Sequence, residues 1–224
     1  MKTILTGLFC LAFAGAAFAT DKSELDFRIR KLTAKFEEMQ QKPDKRIPAS
    51  TLRKAQGIVL LDRTKAGFLF AFEGGSGVAL VKDAKSKRWS PAAFYSANEA
   101  SLGFQVGGQQ SFVVILLMSK EATHLLTDNE FEFGGEARGT AGDSSAGAEA
   151  TVKSPDRSVL VYDERSGLFG GAAVKGGALT PDEDANAAYY DHFVTPNEIL
   201  FGHKVKPTAA ADELIRRVAK YSAK

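Results

Sequence analysis

Three histidines, one cysteine, an acidic run and a lysine set among glycines are the groups in this chain whose types and spacing invite chemistry. The stretch "SGLFGGAAVKGGALTPDEDANAAYYD", residues 166–191, gathers several of them. A phosphate-cradling P-loop requires a glycine followed directly by Lys and then Ser or Thr. Here Lys175 follows Val174 and precedes Gly176, so the pattern fails and Lys175 remains only a candidate anion contact. A dinucleotide fingerprint fails as well, because Gly75 and Gly77 run into Val78, Ala79 and Leu80. Asp182, Asp184 and Asn186 take the first, third and fifth positions of a calcium loop, but Ala187 stands where the sharp turn needs glycine and Phe193 where a bidentate glutamate belongs.

Catalytic patterns are equally absent. His124, His192 and His203 form no H-E-x-x-H pair, and Ser76 lacks the second glycine of a nucleophile elbow. The sole cysteine, Cys10, lies in the N-terminal apolar run, so the chain beyond it has no thiol for disulfides, nucleophilic attack or metal binding. The sequence nominates no catalytic residue, no metal ligand set and no cofactor.

Cations in clusters are a stronger signal. Residues 82–89, "KDAKSKRW", place Lys82, Lys85, Lys87 and Arg88 against one acid, Asp83, in an expected hairpin tip that ends in Trp89. Residues 42–46, "KPDKR", add Lys42, Lys45 and Arg46. Each cation close to an anionic membrane contributes on the order of 1 kcal/mol, which makes both clusters candidate lipid contacts. The competing reading is a solvated turn, with Trp89 serving the core.

The elements that must position these groups follow from periodicity. Residues 1–19 combine Lys2, an apolar middle and small residues at Ala17 and Ala19, the layout of a cleavable export signal. Export to the periplasm or outside the cell is therefore expected. Residues 20–43 hold an amphipathic helix, with Leu25, Ile29, Leu32, Phe36 and Met39 on one stripe and Ser23 as the expected N-cap. Its basic residues are interleaved with acids, which weakens any electrostatic case for a membrane helix and favours packing on the body of the protein. Pro48 suits the start of a short helix and Gly57 its exit.

From there short Val-, Phe- and Leu-rich runs, among them "GIVLLD", "GFLFAFEGG", "GVALVKD" and "SFVVILLMS", read as a meander of antiparallel strands. A short inserted helix is expected over 120–128 and a C-terminal helix with Leu214, Ile215 and Val218 on its apolar face. Recurrent glycine pairs are expected to serve bends in a curled sheet, Gly167 to Gly177 a bent strand pair, and "TPDEDAN" an exposed turn. The fold class is α+β: a Gly-rich antiparallel sheet curled into a barrel or sandwich, flanked by helices. With 29 Lys and Arg against 27 acids the chain is nearly neutral, which argues against general nucleic-acid binding. Hydrophobic residues at 44%, including 16 Phe, can build a substantial core within a single domain.

The succession "IPASTLRKAQGIVLLD", "FEGGSGVALV", "WSPAAFYSANEASLGFQVGGQQSFVVILL" and "SGLFGGAAVKGGALTPDEDANAAYY" resembles the SYLF family over about residues 44–204. That resemblance assigns 44–224, with the C-terminal helix, to one SYLF-like domain. It implies phospholipid binding, with phosphoinositides as ligands of some eukaryotic members and actin-associated roles in a few. Where relatives tend to read "AGPVGR", this chain has "AGDSSAG" at 141–147, so any head-group role of that arginine must fall to another cation. The reading is a non-enzymatic module that binds anionic phospholipid peripherally at a membrane surface. Its rival is a structural or partner-binding envelope protein, and a third alternative is an enzyme whose site is assembled from scattered residues.

Overall fold

The runs "GIVLLD" and "FVVILL" are apolar at successive positions, as befits strands buried on both faces. A computed structural model describes residues 21–133, 148–152, 158–170 and 177–223. In it Ile58 and Leu60 join one hydrophobic cluster while Val59 and Leu61 join another on the opposite face of the sheet. The export signal at 1–19, Lys175 and the "AGDSSAG" segment lie outside the described residues.

The two strands that carry these runs are long. β1 (Gly57–Val81) and β2 (Ala93–Leu117) each span 25 residues and pair antiparallel from Gly57↔Leu117 to Ala79↔Ala93. The separate short strands expected over these residues are thus one continuous ribbon, whose register shifts only between Phe68 and Phe70. Glycines bend it without ending it. The ribbon doubles back so that its two ends meet: Lys82 N–H donates to the Gln56 carbonyl at 2.7 Å, and Gln56 N–H to that of Leu117 at 2.8 Å. A Cβ placed on Gly77 would lie 2.6 Å from the Leu60 carbonyl oxygen, and one on Gly75 would lie 2.9 Å from that of Asp62. Only glycine lets the two halves of β1 approach so closely.

β2 is central, with β1 along one edge. Its other edge takes β5 (Ser158–Gly170) over Val106–Leu117 and β6 (Gly177–Pro181) at Tyr95 and Ser96. β4 (Ala148–Val152) adds to β5 and β3 (Phe131–Phe133) to β6, all antiparallel, giving an open, curled half-barrel. The strand pair expected over Gly167 to Gly177 is corrected in one respect: among the described residues β5 and β6 each pair with β2, not with each other.

Helices cover both faces. On one lie α1 (Lys22–Gln41), α2 (Ala49–Lys54), α4 (Glu183–Tyr190) and α6 (Ala209–Ser222). The α1 stripe of Leu25, Ile29, Leu32, Phe36 and Met39 is buried there, with Phe36 edge-on to Tyr221 at 5.8 Å between ring centres. Burial of such a stripe is the main source of helix stability in a folded chain. Asp21, not Ser23, is the N-cap residue, and the Ser23 hydroxyl donates to its carboxylate at 2.7 Å. Gly57 opens β1 and is not the exit of α2, which ends at Lys54. The opposite face is covered by α3 (Lys120–Thr123), which continues as a 3-10 turn over His124–Thr127, and by α5 (Pro196–Leu200).

"TPDEDAN" is not a turn. Thr180 and Pro181 end β6, Asp182 accepts from Ala185 N–H as an N-cap at 3.1 Å, and Glu183 begins α4. Asp, Ser and Thr suit turns and helix caps for the same reason, since their side chains bind nearby backbone N–H groups. Asn186 is fully buried and bonds the main chain of Phe94, which explains its place in the acidic run without a metal ion. Among the described residues no three metal-ligating side chains converge. No described helix is long and apolar enough to cross a membrane.

Candidate functional site

The doubled ribbon sets the hairpin tip, residues 82–92, beside the end of α2. The tip is built by its own sequence. Asp83 N–H donates to the Arg88 carbonyl at 2.8 Å, and Lys87, at φ 58°, donates its N–H to the Asp83 carbonyl at 3.0 Å. The Asp83 carboxylate accepts from the backbone N–H groups of Ser86 at 2.6 Å and Lys85 at 3.2 Å. These bonds, that of the Ser86 backbone first, hold its carboxyl below the usual range. Ser90 then locks the return: its Oγ accepts from Val81 N–H at 3.0 Å and donates to the Pro91 carbonyl at 2.8 Å.

Lys82 is committed. Its ammonium donates to the carbonyls of Ala55 at 2.8 Å and Arg53 at 3.2 Å, and sits 4.8 Å from the centre of the Trp89 ring. A cation is stabilised at a helix C-terminus, where carbonyls lack partners. Burial, with the charge of Lys87 second, pulls the Lys82 ammonium below the ordinary lysine value. Trp89 is half-buried, packing one side on the core and leaving the other to the surface.

A groove of about 1090 Å³ opens between this tip, α2, the loop 202–207 and α6. Its cations are Arg53, Lys82, Lys87, Arg88 and Lys206, against the acids Asp83 and Asp212. Its apolar floor includes Trp89, Pro91, Val205, Pro207 and Ile215. His203, with φ 51°, brings Nε2 to 4.0 Å from the Asp83 carboxylate and so spans the loop and the tip. The groove can hold an anion at its cationic rim and apolar matter against its floor.

Of the residues proposed from sequence, Lys82, Lys87, Arg88 and Trp89 line this groove; Lys85 is exposed on the tip outside it. The second cluster lies elsewhere. Lys42 forms ion pairs with Glu38 at 2.8 Å and with Glu164, and lines a small cavity of about 130 Å³. Arg46 lines another, of about 430 Å³, with Pro43, Pro48 and Tyr221; Lys45 is half-exposed and lines none of the three cavities. Sequence reasoning missed Arg53, His203 and Lys206, which lie far from the tip along the chain and carry no local pattern linking them to it.

The other histidines make local contacts. His124 stacks on Phe201 at 4.7 Å, and His192 Nδ1 bonds the Tyr190 carbonyl at 2.7 Å.

The model of the Ysc84 family, described as "Las17-binding protein actin regulator", matches residues 98–221. Protein YSC84 of Saccharomyces cerevisiae is 33% identical over 177 residues, covering 77% of this chain and 37% of the relative. SH3 domain-containing YSC84-like protein 1 of Homo sapiens is 31% identical over 172 residues, covering 76% of this chain and 50% of the relative. The chain therefore spans half or less of these curated relatives. No solved structure matches it. On the family match and these identities, the chain belongs to the Ysc84, or SYLF, family.

Proposed function

We propose that this chain is a non-enzymatic module that binds anionic phospholipid peripherally, through the groove at the hairpin tip. The observation that carries the reading is the groove lining, in which five Lys and Arg side chains outnumber two carboxylates around a half-buried tryptophan. Cations near an anionic surface contribute about 1 kcal/mol each, so the free tip cations suffice for salt-sensitive docking. A half-buried indole with a polar N–H suits the boundary between apolar chains and water. The apolar stripe of α1 is occupied by the core, which leaves the tip as the stronger candidate contact.

The family description favours a second reading, in which the same face binds a protein partner, because it names relatives by the protein they bind. The export signal read at 1–19 would place either activity in the periplasm or outside the cell. Flotation of residues 20–224 with neutral and then anionic vesicles, at low and raised salt, separates the two. Binding that needs anionic lipid and weakens with salt supports the lipid reading. No binding to any vesicle removes it in favour of a protein partner.

A further inference from the structure

The loop 202–207 reaches the tip through a titratable group. Gly202 closes α5, its N–H bonding the Asn197 carbonyl at 2.9 Å, and the chain then turns through left-handed His203 to place the imidazole 4.0 Å from Asp83. Among the described residues Asp83 is one of two acids on the groove lining, and its main-chain bonds fix it in position. An imidazole at the mouth of a cationic groove changes the net charge of that groove with pH.

We infer that His203 and Asp83 form a proton-controlled gate that strengthens anion binding in the groove as the medium becomes acidic. The inference rests on the reading of the groove as a lipid contact. With neutral imidazole the lining carries a net charge of +3, and protonation raises it to +4 while pairing the one tip carboxylate. Histidine is the side chain that changes charge between about pH 5 and 8. The charged groups that line the groove with the imidazole are Asp83 of the tip and Asp212 of α6 on the acidic side, and Lys82, Lys87 and Arg88 of the tip, Arg53 of α2 and Lys206 of its own loop on the basic side. The Asp83 carboxylate lies 4.0 Å from Nε2, so the added proton turns that contact into an ion pair.

The test titrates the protein with vesicles of phosphatidylglycerol in phosphatidylcholine at pH values from about 8 down to about 5. One added charge predicts roughly fivefold tighter binding at the acidic end. His203→Gln should lose the acid gain, while His192→Gln should keep it. Full pH dependence in H203Q, or pH-independent binding by the parent, overturns the gate and leaves the lipid reading standing. Failure of the parent to bind at any pH removes both.

Discussion

The side chain of Asn186 continues the sheet where β6 stops: Phe94 N–H donates to its Oδ1 at 2.8 Å, and its Nδ2 donates to the Phe94 carbonyl at 3.1 Å. β6 pairs with Tyr95 and Ser96 of β2 and then turns into α4, so Phe94 is the next main-chain group on that edge to need a partner. Asn186→Ala would leave the Phe94 N–H unpaired in the core and should cost about 1–3 kcal/mol. Asn186→Asp retains an acceptor but buries a carboxylate, and should be at least as damaging at neutral pH. Urea unfolding midpoints of the two variants check both expectations.

Tyr189 joins three helices. From α4 its hydroxyl donates to Asp26 of α1 at 2.6 Å and meets the hydroxyl of Thr208, which caps α6 through Ala211 N–H at 3.3 Å. Tyr189→Phe removes these bonds while keeping the ring edge-on to Phe94, so the loss isolates the hydroxyl. A bond to a charged acceptor is worth about 1.5–3 kcal/mol, and thermal unfolding should fall accordingly.

Alkaline pH should unfold the protein through its tyrosines. Burial is the first cause raising the phenols of Tyr95, Tyr189 and Tyr190 above the usual value. A raised folded value means the native state holds the proton where the unfolded chain releases it. The stabilising contribution is complete below about pH 10 and is lost as the pH rises beyond it. Phenolate absorbance of these residues should therefore appear together with loss of circular dichroism, whereas independent ionisation in a folded chain would contradict the burial account.

Gly77→Ala should be among the most damaging single-methyl additions. Its Cβ would lie 2.6 Å from the Leu60 carbonyl, so one layer of the doubled ribbon must shift. Overpacking of this kind costs about 1–3 kcal/mol and sometimes more. A denaturant midpoint equal to that of the parent would show that the two halves of β1 do not pack this closely.

The tip cations should separate binding from stability. Lys87→Gln and Arg88→Gln should each weaken anionic-vesicle binding roughly fivefold without changing thermal stability. Lys82→Gln should lower both, because that ammonium also holds the Ala55 and Arg53 carbonyls. Arg46→Gln, whose side chain lies outside the groove, should leave binding unchanged. Vesicle titration alongside thermal melting distinguishes the three classes.

Much of this architecture is legible in local pattern. The stripe from Leu25 to Met39 marks α1, the unbroken apolar runs "GIVLLD" and "FVVILL" mark buried strands, and the charges between them mark the tip. Pattern failed where one residue type serves two structures. Glycine inside "GFLFAFEGG" reads as a strand end, yet β1 runs through it because the bend lies within a continuing ribbon. Asp182 reads as a turn residue, yet it caps α4. The groove was half visible: its tip residues are contiguous, but Arg53 reaches it through the closure of Gln56 on Lys82, and His203 through the loop that follows α5.

That closure has a kinetic consequence. In zipping from the tip, the pair Ala79↔Ala93 needs only the short loop to close, Gly57↔Leu117 needs the entire ribbon, and the bond from Lys82 to Gln56 needs the ribbon folded over as well. Contacts between distant residues carry a loop-closure cost before they return any stability, and this slows folding. A chain zipping outward from residues 82–92 incurs that cost in small steps. Substitutions at Ser90 should then alter the refolding rate, while those around Gln56 should act chiefly on the rate of unfolding. The loop that presents the charged face to solvent would thus also be the point from which the β-sheet is born.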